Sequence, residues 1–195
     1  MKIGDICMTS GNGPLSLLIR KYQKIVLHAE GPGAELSHVA MVGPDATHVF
    51  EATTFNAWAG KDGVKGVQVN PYQQWVENYN GRIWIREQKK DAFTGGQYEA
   101  MYDKMESMIG RDYEHGIPGA LELAFVGWQI PGLSKWLAGR LRTNTDLHCS
   151  EAVAEVLQAV GLLQGLRPNK LPPCMWWDGI KELDKYYHEP KEIKP

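Results

Sequence analysis

Two stretches of this chain carry the residue types best suited to chemistry. One, Ser37-His38-Val39-Ala40-Met41-Val42-Gly43, alternates like a half-buried strand. The other, His148-Cys149-Ser150-Glu151-Ala152-Val153-Ala154-Glu155-Val156-Leu157, repeats like an amphipathic helix that Cys149 opens. A helix N-terminus and a nearby imidazolium both favour thiolate, and together they lower a thiol pKa from about 8.5 into the range of about 3.5–7.5. Val153, Val156 and Val160 share the helical face of Cys149, so the helix buries that face and its first turn points the sulfur at the sheet. The backbone N–H of Cys149 is placed to serve as an oxyanion donor. A thiol and an imidazole so arranged perform acyl transfer. The imidazole takes the thiol proton, the sulfur attacks a carbonyl, a thioester forms, and water releases the acid.

The strand that holds His38 suggests a third member. Residues 36–42 and 47–53 alternate as two strands around Gly43-Pro44-Asp45-Ala46, a hairpin signature. An even-length turn centred between Pro44 and Asp45 pairs Val42 with Thr47 and His38 with Glu51. Directly paired residues share a face with Cβ atoms about 5 Å apart, so the Glu51 carboxylate accepts a hydrogen bond from one ring nitrogen and turns the other outward. An odd-length turn sends Glu51 to the opposite face. Cys7 and Cys174 lack a comparable setting and are expected to be structural. His28, His48, His115, His148 and His188 are expected to be surface or locally bonded, with His148, adjacent to Cys149, a distant second choice as base.

The remaining elements are strands over 3–8, 63–69 and 82–87 and helices over 15–27, 73–79 and 97–109. The helix over 15–27 has an apolar stripe and a polar face with Arg20, Lys21 and Lys24. The one over 97–109 sets Tyr98, Met101, Tyr102, Met105, Met108 and Ile109 on one stripe, a core pattern. Regular structure is expected to end at Leu171-Pro172-Pro173, with 189–195 a frayed tail. The stretch 117–141 is the most apolar, but Glu122, Gln129, Pro131-Gly132 and Lys135 interrupt it before the roughly 18 residues a membrane span needs. It is expected to form two short helices that cover the site, thicken the core, or make a dimer contact through Trp128 and Trp136.

With 195 residues, 43% hydrophobic and 23% charged, the chain is long and apolar enough to bury one core, and a single domain is expected. A net charge of -2 gives no electrostatic case for nucleic acid. Three cysteines without CxxC spacing form neither a disulfide framework nor a zinc site, and no His/Asp/Glu cluster has metal-ligand spacing. The Gly-rich turns lack a Lys-Ser/Thr sequel, so phosphate binding is not expected, nor is any metal or organic cofactor. Asp5 follows Lys2 at once, unlike a signal peptide, so the default expectation is cytoplasmic, with phage-borne or non-classical export as the alternative.

These motifs resemble a known family. Ile109-Gly110-Arg111-Asp112-Tyr113 followed by Cys149-Ser150 is similar to the first half of an NlpC-like cell-wall peptidase. Gly4-Asp5-Ile6, the His38 strand and Val49-Phe50-Glu51-Ala52 are similar to its second half. Histidine thus precedes cysteine, the reverse of papain, as in the permuted YiiX/YebB-like group related to lecithin:retinol acyltransferase. The resemblance implies an α+β, circularly permuted papain-like fold, with a small antiparallel, barrel-like sheet packed against the Cys149 helix and the 97–109 helix. It implies one domain over 1–195 with an apolar helical insertion at about 117–141. By position, Cys149 is the nucleophile, His38 the general base and Glu51 the polar third member. Tyr113 lines the site and helps hold the oxyanion, and Ser150 lies beside the substrate. The expected activity is hydrolysis of a peptide amide, with peptidoglycan-derived peptides as one candidate. The alternatives are a lipid acyl hydrolase or acyltransferase using the same residues, which the apolar stretch and Trp128, Trp136, Trp176 and Trp177 would suit, and a non-catalytic binding or structural module.

Overall fold

The computed structural model describes residues 1–25, 27–53, 66–112 and 148–194. Tyr113 and the 117–141 stretch, with Trp128 and Trp136, lie outside the described residues. The chain runs β1 (Ile6–Gly11), α1 (Pro14–Ile25), β2 (His38–Val42), β3 (His48–Thr53), β4 (Gly66–Pro71), α2 (Tyr72–Asn78), β5 (Gly81–Arg86), α3 (Gly95–Met108), α4 (Cys149–Ala159), α5 (Met175–Asp178) and β6 (Lys191–Lys194). The fold is α+β, with a six-stranded antiparallel sheet in the order β4-β3-β2-β1-β5-β6.

The sheet is open, not the barrel-like closure expected. Its outer strands β4 and β6 do not pair, and each is managed as an edge. Along β4, the Val67 N–H donates to the Arg111 carbonyl and the Gly110 N–H to the Val67 carbonyl, so the chain after α3 occupies the edge. Strand β6 carries Lys191 and Lys194, and an edge lined with lysine resists further strand addition. The expected frayed tail is therefore a strand. Regular structure also continues past Leu171-Pro172-Pro173, through α5 and a 3₁₀ turn over Lys181–Lys185. Strand β1 starts later than its sequence suggests and runs on through Ser10 and Gly11. The preceding Gly4 has φ 87°, and a Cβ there would sit 2.6 Å from Gln88 Nε2 and 2.8 Å from Met101 Sδ. A glycine is thus needed just before Asp5, whose carboxylate takes the Lys2 and Gln88 amides.

Alternation along the strands builds two cores. Ile6, Met8, Val39, Met41, Phe50, Ala52, Val67 and Trp84 face α3 and α4, which contribute Met101, Met105 and Met108, and Ala152, Val153, Val156 and Leu157. Cys7, Ala40, Val42, Val49, Ile83 and Ile85 face the other way, where Trp75 of α2 covers them. The methionine stripe of α3 is core as expected, though Tyr102 and Ile109 stay exposed. A capping box of Thr94 and Gln97 starts that helix.

Two arginines of β5 show opposite economies. Arg82 makes a two-point ion pair with Glu192 of β6 in solvent. Arg86 is fully buried, donates to Asp184 at 2.7 Å, and reaches the carbonyls of His188, Trp176 and Trp177. It clamps the C-terminal segment to the sheet. Chemical denaturation should find Arg86→Met less stable than the parent by about 1–3 kcal/mol, because the carbonyls of Trp176, Trp177 and His188 lose their donor while the half-exposed Asp184 stays solvated. Arg82→Met should change stability little, because exposed pairs are weak.

Candidate active site

The backbones of strands β2 and β3 pair only near their shared turn. Met41 pairs with Phe50 and Val42 with Val49, and there the pairing stops. Asp45 sets this register. Its Oδ1 accepts the amides of Thr47 and His48, and Ala46 takes a left-handed φ of 59°. The loop is therefore centred between Asp45 and Ala46, one position beyond the centre the sequence suggests. Val42 faces Val49, not Thr47, and Glu51 stands level with Ala40, not His38. A slide of two residues preserves the face. His38 and Glu51 remain diagonal neighbours, within reach of long side chains.

His38 Nε2 and Glu51 Oε2 lie 2.7 Å apart. Glu51 is nearly enclosed and has two further donors, Asn70 Nδ2 at 2.7 Å and Trp75 Nε1 at 3.3 Å. Asn70 lies on β4, on the same face as Glu51, and Trp75 lies on α2. Neither is evident from the sequence. The signal that could find Asn70 is parity: β4 pairs Glu51 with Gln68, which puts Asn70 one diagonal step away.

Cys149 arrives from the other side of the sheet. It is the first residue of α4, whose apolar face packs on the α3 side. Val42 donates its N–H to the carbonyl of Asp5, just before β1, so by alternation the Val39 N–H points toward β3. Strand β3 has already parted from β2 there, and the Cys149 sulfur takes the Val39 N–H and contacts the His38 ring. With Nε2 committed to Glu51, Nδ1 is the ring nitrogen left for the sulfur. Ser150 Oγ lies 3.8 Å from the sulfur and is buried beside it, where its hydrogen bond favours the thiolate. The His148 N–H donates to Glu151 Oε2 at 3.3 Å, closing the first turn.

The electrostatics oppose burial. Burial alone pushes the Cys149 thiol up, but the His38 imidazolium, with hydrogen bonds from His38, Val39 and Ser150, outweighs it and brings the thiol down to about 7. Burial alone favours neutral His38, but the Cys149 thiolate and Glu51 raise it to about 10. The two titrate as one pair, so thiolate–imidazolium is the dominant form between those values. Cys7 is fully buried and its thiol is pushed well up; partial burial raises Cys174 to about 11. His48 bonds Asp45 at 2.6 Å, a local contact as expected. Among the described residues, no group of three or more His, Cys, Asp or Glu is arranged to hold a metal ion.

The sequence matches no known protein-family model and no curated protein. Among solved structures, the fold is similar to that of the metalloprotein YiiX from Escherichia coli O157:H7, at a TM-score of 0.51. The alignment covers 100% of this chain and 89% of that one at 17% identity, so the likeness is one of fold. The YiiX-like part of the resemblance read from the sequence motifs thus has a counterpart in three dimensions. No helix among the described residues is long and apolar enough to cross a membrane.

Two measurements probe this geometry. Iodoacetamide labelling mapped by mass spectrometry should modify Cys149 with a midpoint near pH 7, ahead of Cys174 and Cys7. The sign follows from the pair: thiolate forms as pH rises through about 7, so labelling rises there. His38→Ala removes the cation but not the burial, and should move the midpoint above that of an ordinary thiol, about 8.5. Asn70→Leu leaves Glu51 Oε1 without its donor, and should cost about 1.5–3 kcal/mol in denaturation.

Proposed function

We propose that this chain is a cysteine hydrolase that cleaves an amide bond in a peptide through a thioester, on a circularly permuted papain-like arrangement. The observation that carries the reading is the unbroken line from Cys149 through His38 to Glu51. His38 holds the thiol proton, and the Cys149 sulfur attacks the carbonyl carbon. The new oxyanion meets the N–H of Cys149, which as the first residue of α4 lies outside the helix's own hydrogen-bond ladder. His38 then gives its proton to the departing amine, and the C–N bond breaks to leave a thioester. Water attacks the thioester, yielding its proton to His38, and the acid leaves with the thiol restored. Glu51 holds the ring in line throughout.

An amide is favoured over an ester by the His38 proton. An amine leaves only when protonated, and His38 holds the proton it took from the Cys149 thiol when the C–N bond must break. The permuted order rests on the His38 strand preceding the Cys149 helix in the chain. The structural neighbour is described as a metalloprotein, but the donor set here does not fit a metal. His38, Glu51 and Cys149 satisfy one another, and no metal cluster exists among the described residues. No step is derived through one.

Intact-mass trapping discriminates the substrates. Offered cell-wall stem peptides and long-chain acyl esters in turn, the protein should acquire a peptidyl adduct on Cys149. A fatty-acyl adduct alone would convert the reading to a lipid acyl hydrolase, and no adduct with either would leave a binding module. Cys149→Ala should abolish turnover with circular dichroism unchanged, and His38→Ala should slow it by about 10²–10⁴-fold.

A further inference from the structure

Helix α1 buries a polar side chain and leaves part of its apolar stripe exposed. An amphipathic helix ordinarily buries its apolar stripe. Here the buried residue is Gln23, whose Nε2 donates to the Leu36 carbonyl at 2.7 Å and whose Oε1 accepts the Cys174 N–H at 2.8 Å. Arg20, on the same side, donates to Ser10 Oγ and Glu35. The apolar residues Leu15, Leu17, Leu18, Ile19, Tyr22 and Ile25 join neither of the two cores, and Leu17, Leu18 and Ile25 are exposed, Ile25 by 60%. Leu15, Ile19 and Tyr22 are half-buried at the flank of the inward face, so the uncovered part of the stripe among the described residues is Leu18 and Ile25, with Leu17 beside the lysines. Leu27, just beyond the helix, extends the exposed apolar surface.

The charge of the helix selects an occupant. The chain has a net charge of -2, yet α1 carries Arg20, Lys21 and Lys24 and no acid. Glu35 pairs with both Arg20 and Lys24, leaving the helix and its partner carboxylate positive. A second copy packed stripe to stripe would set cations against cations with no acid on either helix to offset them. Nucleic acid would satisfy the cations but leave the leucines in water. A surface that is anionic outside and apolar beneath answers both. We infer that α1 is a lipid-docking helix: Leu18, Ile25 and their neighbours enter the headgroup–acyl boundary of an anionic bilayer, and Lys21 meets lipid phosphates. The inward polar anchors hold the helix against β1 and the segment leading to Ser37 and His38, so docking sets the candidate active site close to the membrane surface. The inference does not depend on the chemistry proposed for Cys149.

The test uses the full chain, sedimented with vesicles of phosphatidylglycerol or of phosphatidylcholine. Binding to phosphatidylglycerol vesicles is expected, weakened by salt and stronger than to phosphatidylcholine. Leu18→Ser with Ile25→Ser, and separately Lys21→Glu, should each weaken it by about tenfold or more. In parallel, Ile25→Cys should react quickly with a water-soluble maleimide and become protected when phosphatidylglycerol vesicles are added. No binding, or binding that these substitutions leave unchanged, overturns the inference. So does protection of Ile25→Cys without vesicles: independent of protein concentration, it means another part of the chain covers the stripe, and rising with concentration, it means a second copy does.

Discussion

The site depends on where the pairing of β2 and β3 stops. Two backbone rungs, Met41–Phe50 and Val42–Val49, are all the ladder that these strands share. Beyond them β3 stays with β4 as far as Thr53–Gly66, while β2 stays with β1 as far as His38–Thr9. Each strand keeps its other neighbour, so the sheet opens without losing its edge partners. The opening frees the Val39 N–H, which a continuous ladder would have consumed. A buried N–H must find an acceptor, and the sulfur of Cys149 supplies it. A gap in the ladder thus becomes the seat of the thiol.

The gap also solves a problem of sides. Alternation sends His38, Glu51 and Asn70 to the α2 face of the sheet, whereas α4 packs on the α3 face. A helix on one face meets a side chain on the other only where the sheet is open or ends. The first residue of α4 lies at such a place, and the helix behind it is fixed by Ala152, Val153, Val156 and Leu157. The nucleophile candidate is therefore positioned by one core and its histidine by the other.

Burying three ionisable groups is unfavourable unless each has partners. Glu51 has three donors, His38 lies between a carboxylate and a thiol, and Cys149 has an amide and a hydroxyl besides the ring. Helix α2 closes this arrangement. Trp75 bonds Glu51 and packs on Tyr79, with ring centroids 5.5 Å apart, and Tyr79 in turn bonds Thr9 of β1 at 2.6 Å. The same aromatic that fills the smaller core thus shields the His38–Glu51 bond from water.

Most elements follow from local pattern. The strands of His38 and Glu51 alternate, the helix of Cys149 repeats its valines, and the methionines of α3 mark a core face. Cys149 at a helix start and Glu51 on the face of His38 are legible because periodicity alone decides them. The register was not legible: Asp45 capping the turn and Ala46 adopting a left-handed conformation are side-chain and backbone choices that alternation does not record. The His38–Glu51 pairing survives the slide only because two residues is one full period of a strand. Asn70 and Trp75 come from β4 and α2, far along the chain, and only the packed sheet brings them to Glu51. The tail became β6 because β5 offered an unpaired edge, a long-range fact invisible in Lys191-Glu192-Ile193-Lys194. Helix α1 shows the limit most plainly. Its amphipathic period is evident in the sequence, but which face turns inward was decided by where Ser10, Glu35, Leu36 and Cys174 stand, since a buried polar partner set can outbid an apolar stripe for the inner side.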